Sequence, residues 1–116
     1  MTNQAKDCLF CRIAAGEITP QIVRETDRTI AFHDIEPQAP VHVLVIPREH
    51  HPSIGSLATA DPELAGLLMA EAAAVAEELG LVDFRLVTNT GAQAGQSVFH
   101  VHLHVLGGRP MRWPPG

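Results

Sequence analysis

The run His100-Val101-His102-Leu103-His104-Val105-Leu106 constrains this chain more than any other segment, because its residues change character at every second position. A period of two is that of an extended strand, whose successive side chains point to opposite faces. The segment from Val98 to Leu106 is therefore read as a strand that turns three imidazoles to one face and Val101, Leu103 and Val105 to the other. The plain alternative, a solvated polar face that happens to hold histidine, leaves the cleanly apolar opposite face and the adjoining glycines unexplained.

An apolar face needs a core to lie against, and the rest of the chain supplies one. Ile22 to Thr26 and Thr29 to His33 alternate across Asp27-Arg28, which reads as a tight hairpin. Val41 to Pro47, opened by Pro40, is a β-branched run that reads as a central strand, and Phe84 to Asn89 alternates as another. Asp61-Pro62-Glu63 combines an N-cap, a proline at the first helical position and an acidic first turn, so a helix should run from there to Leu79 and stop at Gly80. Leu64, Leu67, Leu68, Val75 and Leu79 give that helix one apolar stripe. Strands in runs, one long helix and no βαβ alternation point to an α+β fold with a largely antiparallel sheet.

The chain has 116 residues, which suits one domain with one core. At 46% hydrophobic and 18% charged it is too apolar for a disordered chain. A formal net charge of -5 argues against broad attraction to nucleic acid or to an anionic membrane, so any phosphate site must be local. Residues 1–7 lack a signal-peptide core and no apolar run is long enough to span a bilayer, which leads us to expect a cytoplasmic protein with a disordered 1–7. In such a reducing compartment, Cys8 and Cys11, two residues apart, favour metal binding or redox work over a structural disulfide.

One ion held by all three strand histidines is disfavoured. Residues four apart on a strand lie roughly 13 Å apart, whereas tetrahedral ligation at about 2.0 to 2.1 Å brings ligand nitrogens to about 3.4 Å from one another. Acid–base or nucleophilic use fits better, since a neutral imidazole is nucleophilic at pH 7 and crowding by His100 and His104 penalises charging them together with His102, which keeps His102 unprotonated. The loop Gly91 to Ser97 (GAQAGQS) would be an ordinary turn on its own; beside three histidines its glycines allow backbone N–H groups to approach an anion.

Taken together, HVHLHVL at His100 to Leu106, the preceding GQSVFH, the following GGRPMRWPPG and the earlier AFHDIEPQAPVHVLVIP resemble the histidine-triad family, and within it the Hint branch of purine nucleoside phosphoramidases. The resemblance runs from Cys8 to the C-terminus. It implies a five-stranded, mostly antiparallel sheet with one long and one short helix, paired as a homodimer with a sheet continuous across two subunits. It implies hydrolysis of purine nucleoside 5′-phosphoramidates (AMP or GMP type) with no catalytic cofactor, His102 Nε2 attacking phosphorus to give a nucleotidyl-histidine. Dinucleoside polyphosphate hydrolysis and a non-catalytic nucleotide-binding scaffold are the alternatives; the WPPG tail speaks against the first, and an intact His102 against the second.

Carried onto this chain, the resemblance groups His100, His104 and Ser97 with His102 in the catalytic set and makes His42 the residue that orients the triad. Asn89, Gly95, Gln96 and Ser97 match positions that hold phosphate and leaving group. Asp34, next to His33, matches the ribose-binding acid, and Phe10, Ile13, Phe32, Ile35 and Leu44 match the slot for the base. The tail 109–116, through Trp113, is expected to reach the partner's pocket. Cys8, Cys11, His50 and His100 match a Cys₂His₂ structural zinc set of bacterial members, with His51 competing for the third place. Glu49 and Pro52 depart from the family's pattern, at the pocket entrance and not at the reacting centre.

Overall fold

The structure is a computed structural model in which residues 7–116 are described. The expectation for residues 1–6 lies outside the described residues, and Asp7 lies in a turn. In chain order the elements are α1 (Leu9–Ala14), β1 (Ile22–Glu25), β2 (Thr29–His33), β3 (Val41–Pro47), α2 (Ile54–Ala60), α3 (Pro62–Glu78), β4 (Phe84–Val87), a 3₁₀ turn (Ala92–Ala94) and β5 (Leu103–Gly107). The five strands form one sheet in the order β1-β2-β3-β5-β4, and every neighbouring pair is antiparallel. This is the α+β fold with a five-stranded antiparallel sheet that the sequence implied. Among the described residues three α-helices stand where one long and one short were expected.

The helix α3 begins as its sequence dictates. Asp61 Oδ1 accepts the Leu64 N–H at 3.1 Å, its other oxygen takes Arg28 Nη2 at 2.6 Å, and Pro62 occupies the first turn. It ends where Gly80 takes a φ of 71°. Its buried stripe is Leu64, Leu68, Ala72, Val75 and Ala76, so the expected Leu67 is displaced to the stripe's edge, 38% exposed, and small alanines let the helix approach the sheet. The unforeseen α2 has only Leu57 fully buried; its start is fixed by a capping box in which Ser53 and Ser56 exchange hydrogen bonds.

The sheet is covered on both faces, and its pleat decides which residues go where. Val43 and Val45 of β3, Leu103 and Val105 of β5, and Val101 pack with α3 in one core. Leu44 and Ile46 alternate to the opposite face, where they join Ile30, Phe32, Phe10 and Ile13 in a second, smaller core under α1. Burying the Leu64 and Leu68 side chains contributes about 1.5–3 kcal/mol each. His42 and His104 take the alternation that points away from α3, facing each other across the β3–β5 pair beside Leu44.

Candidate active site

The regular strand β5 starts at Leu103, five residues later than the alternation suggests. Upstream, Val101 N–H is taken by the carbonyl of His51 at 2.7 Å, so the chain carrying His100 and His102 is held by the loop after β3 rather than by a strand partner. The three histidines nevertheless stay together: Phe10 has its ring 5.0 Å from His102 at 88° and 5.9 Å from His100 at 75°. His102 and His104 are 4.9 Å apart.

Their tautomers follow from the groups around them. His42 Nδ1 accepts the backbone N–H of Gln38 at 3.0 Å, so its proton sits on Nε2, which donates to His104 Nδ1 at 2.9 Å. His104 therefore carries its proton on Nε2. His102 Nδ1 donates to the carbonyl of His100 at 2.8 Å, which leaves Nε2 as a bare lone pair. His100 Nε2 donates to the Pro47 carbonyl at 2.8 Å, and its Nδ1 is left facing two sulfurs.

Burial keeps the rings neutral. It holds His100 down at about 4, with His50 and His102 adding repulsion, and His104 down at about 4, with His102 and His42 adding repulsion. His102 and His42 are also lowered, first by burial, although Asp34 opposes both shifts. Because the unfolded chain protonates His100 and His104 first, these two rings leave stability untouched above pH 6.5 and increasingly destabilise the folded state as pH falls toward 4, with His102 and His42 acting in the same direction. For the fully buried His100, the drop from 6.5 to about 4 corresponds to about 3 kcal/mol. Urea unfolding of chelator-treated protein at pH 7, 5.5 and 4 is expected to show that loss over and above any carboxylate effect, and a His100→Gln variant should lack it.

The other expected site residues divide. Asp34, partly buried, receives the Glu36 N–H on Oδ1 at 2.9 Å and lies 3.4 Å from His42 Nε2 through Oδ2. His33 closes β2 beside it. Phe10, Ile13, Phe32 and Leu44 share the smaller core, whereas Ile35 is 93% exposed and stands apart from them. Asn89 lies against Gly95, whose φ of 99° leaves no side chain in the way. Ser97 is exposed and lines a cavity of about 420 Å³ with Cys8, Leu9, His50 and Phe99.

The Gln96 side chain is turned into the loop itself. It is 4% exposed, its Oε1 receives the Gly91 N–H at 2.9 Å, and its Nε2 donates to the carbonyls of Pro52 at 2.7 Å and Val98 at 3.1 Å. Its amide is committed to shaping the loop. Trp113 is 83% exposed, on a tail pinned by Arg85 Nη2 to the Arg112 carbonyl at 2.8 Å and by Arg109 Nε to the Gln38 carbonyl at 3.0 Å. A cleft of about 890 Å³ between residues 80–85 and 108–111 is lined by none of the predicted site residues.

Cys8, Cys11, His50 and His100 present their ligand atoms within 4.8 Å of one another and could hold a metal ion. Sulfur and nitrogen on a tetrahedral zinc, at about 2.3 and about 2.0 to 2.1 Å from it, stand about 3.5 Å apart. Cys8 Sγ lies 3.3 Å from His100 Nδ1, and Cys11 Sγ lies 3.3 Å from His50 Nδ1 and 3.5 Å from His100 Nδ1. His51 is not in the group; its ring faces Glu49 at 3.4 Å. Asp34, His42 and His104 form a second such group, but the 2.9 Å contact between the two rings there is a hydrogen bond.

Three features escaped sequence reasoning: the Gln38 N–H and the Pro47 and His51 carbonyls, which set or hold the histidines from the backbone. No side-chain signal could have found them.

Residues 15–111 match the family described as HIT domain. An uncharacterised HIT-like protein of Synechocystis is 51% identical over 113 residues, covering 97% of this chain and 99% of that protein. A HIT family hydrolase from Legionella pneumophila superposes with a TM-score of 0.90 at 46% identity, covering 95% of this chain and 100% of the other. A histidine triad protein from Clostridium difficile does so with a TM-score of 0.89 at 36% identity, covering 94% and 96%.

Proposed function

The chain belongs to the HIT domain family, and on that footing we propose that it hydrolyses purine nucleoside 5′-phosphoramidates through a nucleotidyl group on His102. The observation that carries the reading is the bare Nε2 of a neutral, buried His102, fixed by the bond from its Nδ1 to the His100 carbonyl. That lone pair forms the new N–P bond as the P–N bond of the substrate breaks. Ser97 donates a proton to the departing amine, and His104 Nε2–H and the backbone around Gly95 steady the phosphoryl oxygens. Once it carries the nucleotidyl phosphorus on Nε2 the ring is cationic, and the His100 carbonyl on Nδ1 stabilises that charge. Water then attacks phosphorus and gives up a proton that restores the Ser97 hydroxyl, His102 leaves with its lone pair restored, and AMP or GMP is released.

Asp34 binds the ribose hydroxyls, and the Phe10, Ile13, Phe32 and Leu44 group takes the base. The protein acts as a homodimer joined through the edge strand β4, with the exposed Trp113 reaching the partner. No helix among the described residues is long and apolar enough to cross a membrane. The Legionella neighbour is itself described as a hydrolase, which supports the reaction class.

A panel of aminoacyl and lysyl nucleoside phosphoramidates, set beside a dinucleoside polyphosphate, tests the reading. Turnover of the phosphoramidates with release of the free amine is expected. Turnover of the polyphosphate alone would reassign the enzyme, and nucleotide binding without turnover of either would make it a scaffold.

The Cys₂His₂ set suits structural zinc, and when bound the ion would join α1 to the loop after β3 and to the triad. Metal analysis of protein purified without a histidine tag is expected to find one zinc per chain. The Cys8→Ser, Cys11→Ser double variant should contain none and melt at a lower temperature; unchanged metal content and melting would remove the site.

A further inference from the structure

Each end of His100 is spoken for by a different part of the site. Its Nδ1 faces Cys8 and Cys11 at 3.3 and 3.5 Å, its Nε2 is anchored on the Pro47 carbonyl, and its own carbonyl takes the proton of His102 Nδ1. A second route joins the same two sites. Cys8 caps α1 and Cys11 lies at its third position, so the helix's two thiols flank Phe10, the ring that meets His102 edge to face. A helix of six residues has little stability of its own, so what holds the two sulfurs adds to the smaller core in fixing where Phe10 sits.

We propose that Cys8, Cys11 and His50 are positioning residues for the nucleophile: an ion bound by them and His100 locks the His100 carbonyl and the Phe10 ring against His102, and thereby fixes which nitrogen of His102 is bare. The inference rests on the reading of His102 as nucleophile, and it assigns the cluster a task beyond holding the fold together. The ion takes no part in the chemical steps. It restrains the group that sets the tautomer, in the manner of outer partners that orient a ligand. Without it, His100 Nδ1 has only weak S–H donors, the His100–Val101 peptide is steadied from the loop after β3 by the His51 carbonyl on the Val101 N–H alone, and His102 can place its proton on either nitrogen. The cavity of about 420 Å³ that reaches Cys8 and His50 gives a chelator access to the cluster.

The experiment compares full-length protein loaded with one equivalent of zinc, the same protein after chelation, and zinc-loaded His50→Ala and His50→Cys variants. Long-range ¹H–¹⁵N correlation spectra of the histidine rings, taken without substrate, read the His102 tautomer directly. The zinc-loaded protein is expected to show His102 protonated on Nδ1 alone, and the chelated protein an average of both tautomers. The kcat/KM of the chelated protein should fall by about 10- to 100-fold, with kcat rather than KM carrying the loss. His50→Ala should resemble the chelated protein, and His50→Cys, which restores a ligand, the loaded one.

A chelated protein that stays folded with one His102 tautomer and unchanged kcat/KM would overturn the proposal and leave the ion a staple only. If chelation unfolds the chain, the zinc-loaded His50→Ala and His50→Cys pair decides instead, and identical His102 spectra in the two would equally overturn it. Because the ring spectra need no substrate, they respond to zinc even if no phosphoramidate is turned over, so failure of the functional reading and failure of this one leave different records.

Discussion

His102→Asn is expected to retain nucleotide binding while losing turnover by several orders of magnitude, the usual result of deleting a covalent nucleophile. Binding survives because Asp34 and the apolar group around Phe10 are untouched, and because the asparagine amide can still donate to the His100 carbonyl. Calorimetry with a nucleoside monophosphate measures the first effect and steady-state kinetics the second. A two-step path inverts phosphorus twice, so a chiral phosphorothioate substrate should give product with overall retention. Rapid quenching of the wild type should place a nucleotidyl group on the peptide containing His102. Inversion without an adduct, or an adduct on another residue, would mean that water attacks directly or that the nucleophile has been misassigned.

Gln96→Leu is expected to have the next largest effect. The substitution is nearly isosteric, yet it strands the Gly91 N–H and the carbonyls of Pro52 and Val98, which the buried amide now satisfies. Each buried group left unpaired costs about 1–3 kcal/mol, so a loss of several kcal/mol in chemical denaturation should accompany a loosened 89–98 loop. Because the loop carries Asn89, Gly95 and Ser97, activity should fall even where the variant remains folded. Gln96→Glu, which keeps the acceptor for Gly91 but loses the donors, should be intermediate in stability. A Gln96→Leu protein as stable and as active as wild type would show that the loop is held by other means.

How much of this was legible in the residues differs from element to element. The helix α3 was readable because Asp61-Pro62 and Gly80 mark its ends independently of its interior, and only the place of Leu67 was misjudged, since positions three and four apart share a stripe edge. The helix α2 was not, because seven residues with a single buried leucine produce no stripe. The alternation through HVHLH identified the histidines and their common side, yet it could not show that the chain leaves the sheet before Leu103, where the His51 carbonyl captures Val101. The rivalry of His50 and His51 was likewise open in one dimension; in the fold the His50 ring turns to Cys11 and the His51 ring to Glu49. Tautomers are a property of neighbours distant in sequence, as in the 62 residues separating His42 from His104, and no local pattern encodes them.

The two-faced sheet divides the molecule for anyone who would redesign it. Val43, Val45, Leu103 and Val105, which β3 and β5 send toward α3, are aliphatic and buried, whereas His42, His104 and Phe10 are on the other side of the same backbone. A laboratory evolution campaign could randomise Leu64, Leu68, Ala72 and Val75 with their partners Val43 and Val105 to raise heat tolerance, with little effect on which substrates are accepted. Selection for new leaving groups would instead draw its useful mutations from the α1 face and the 89–98 loop, and the two libraries could be optimised separately and then merged.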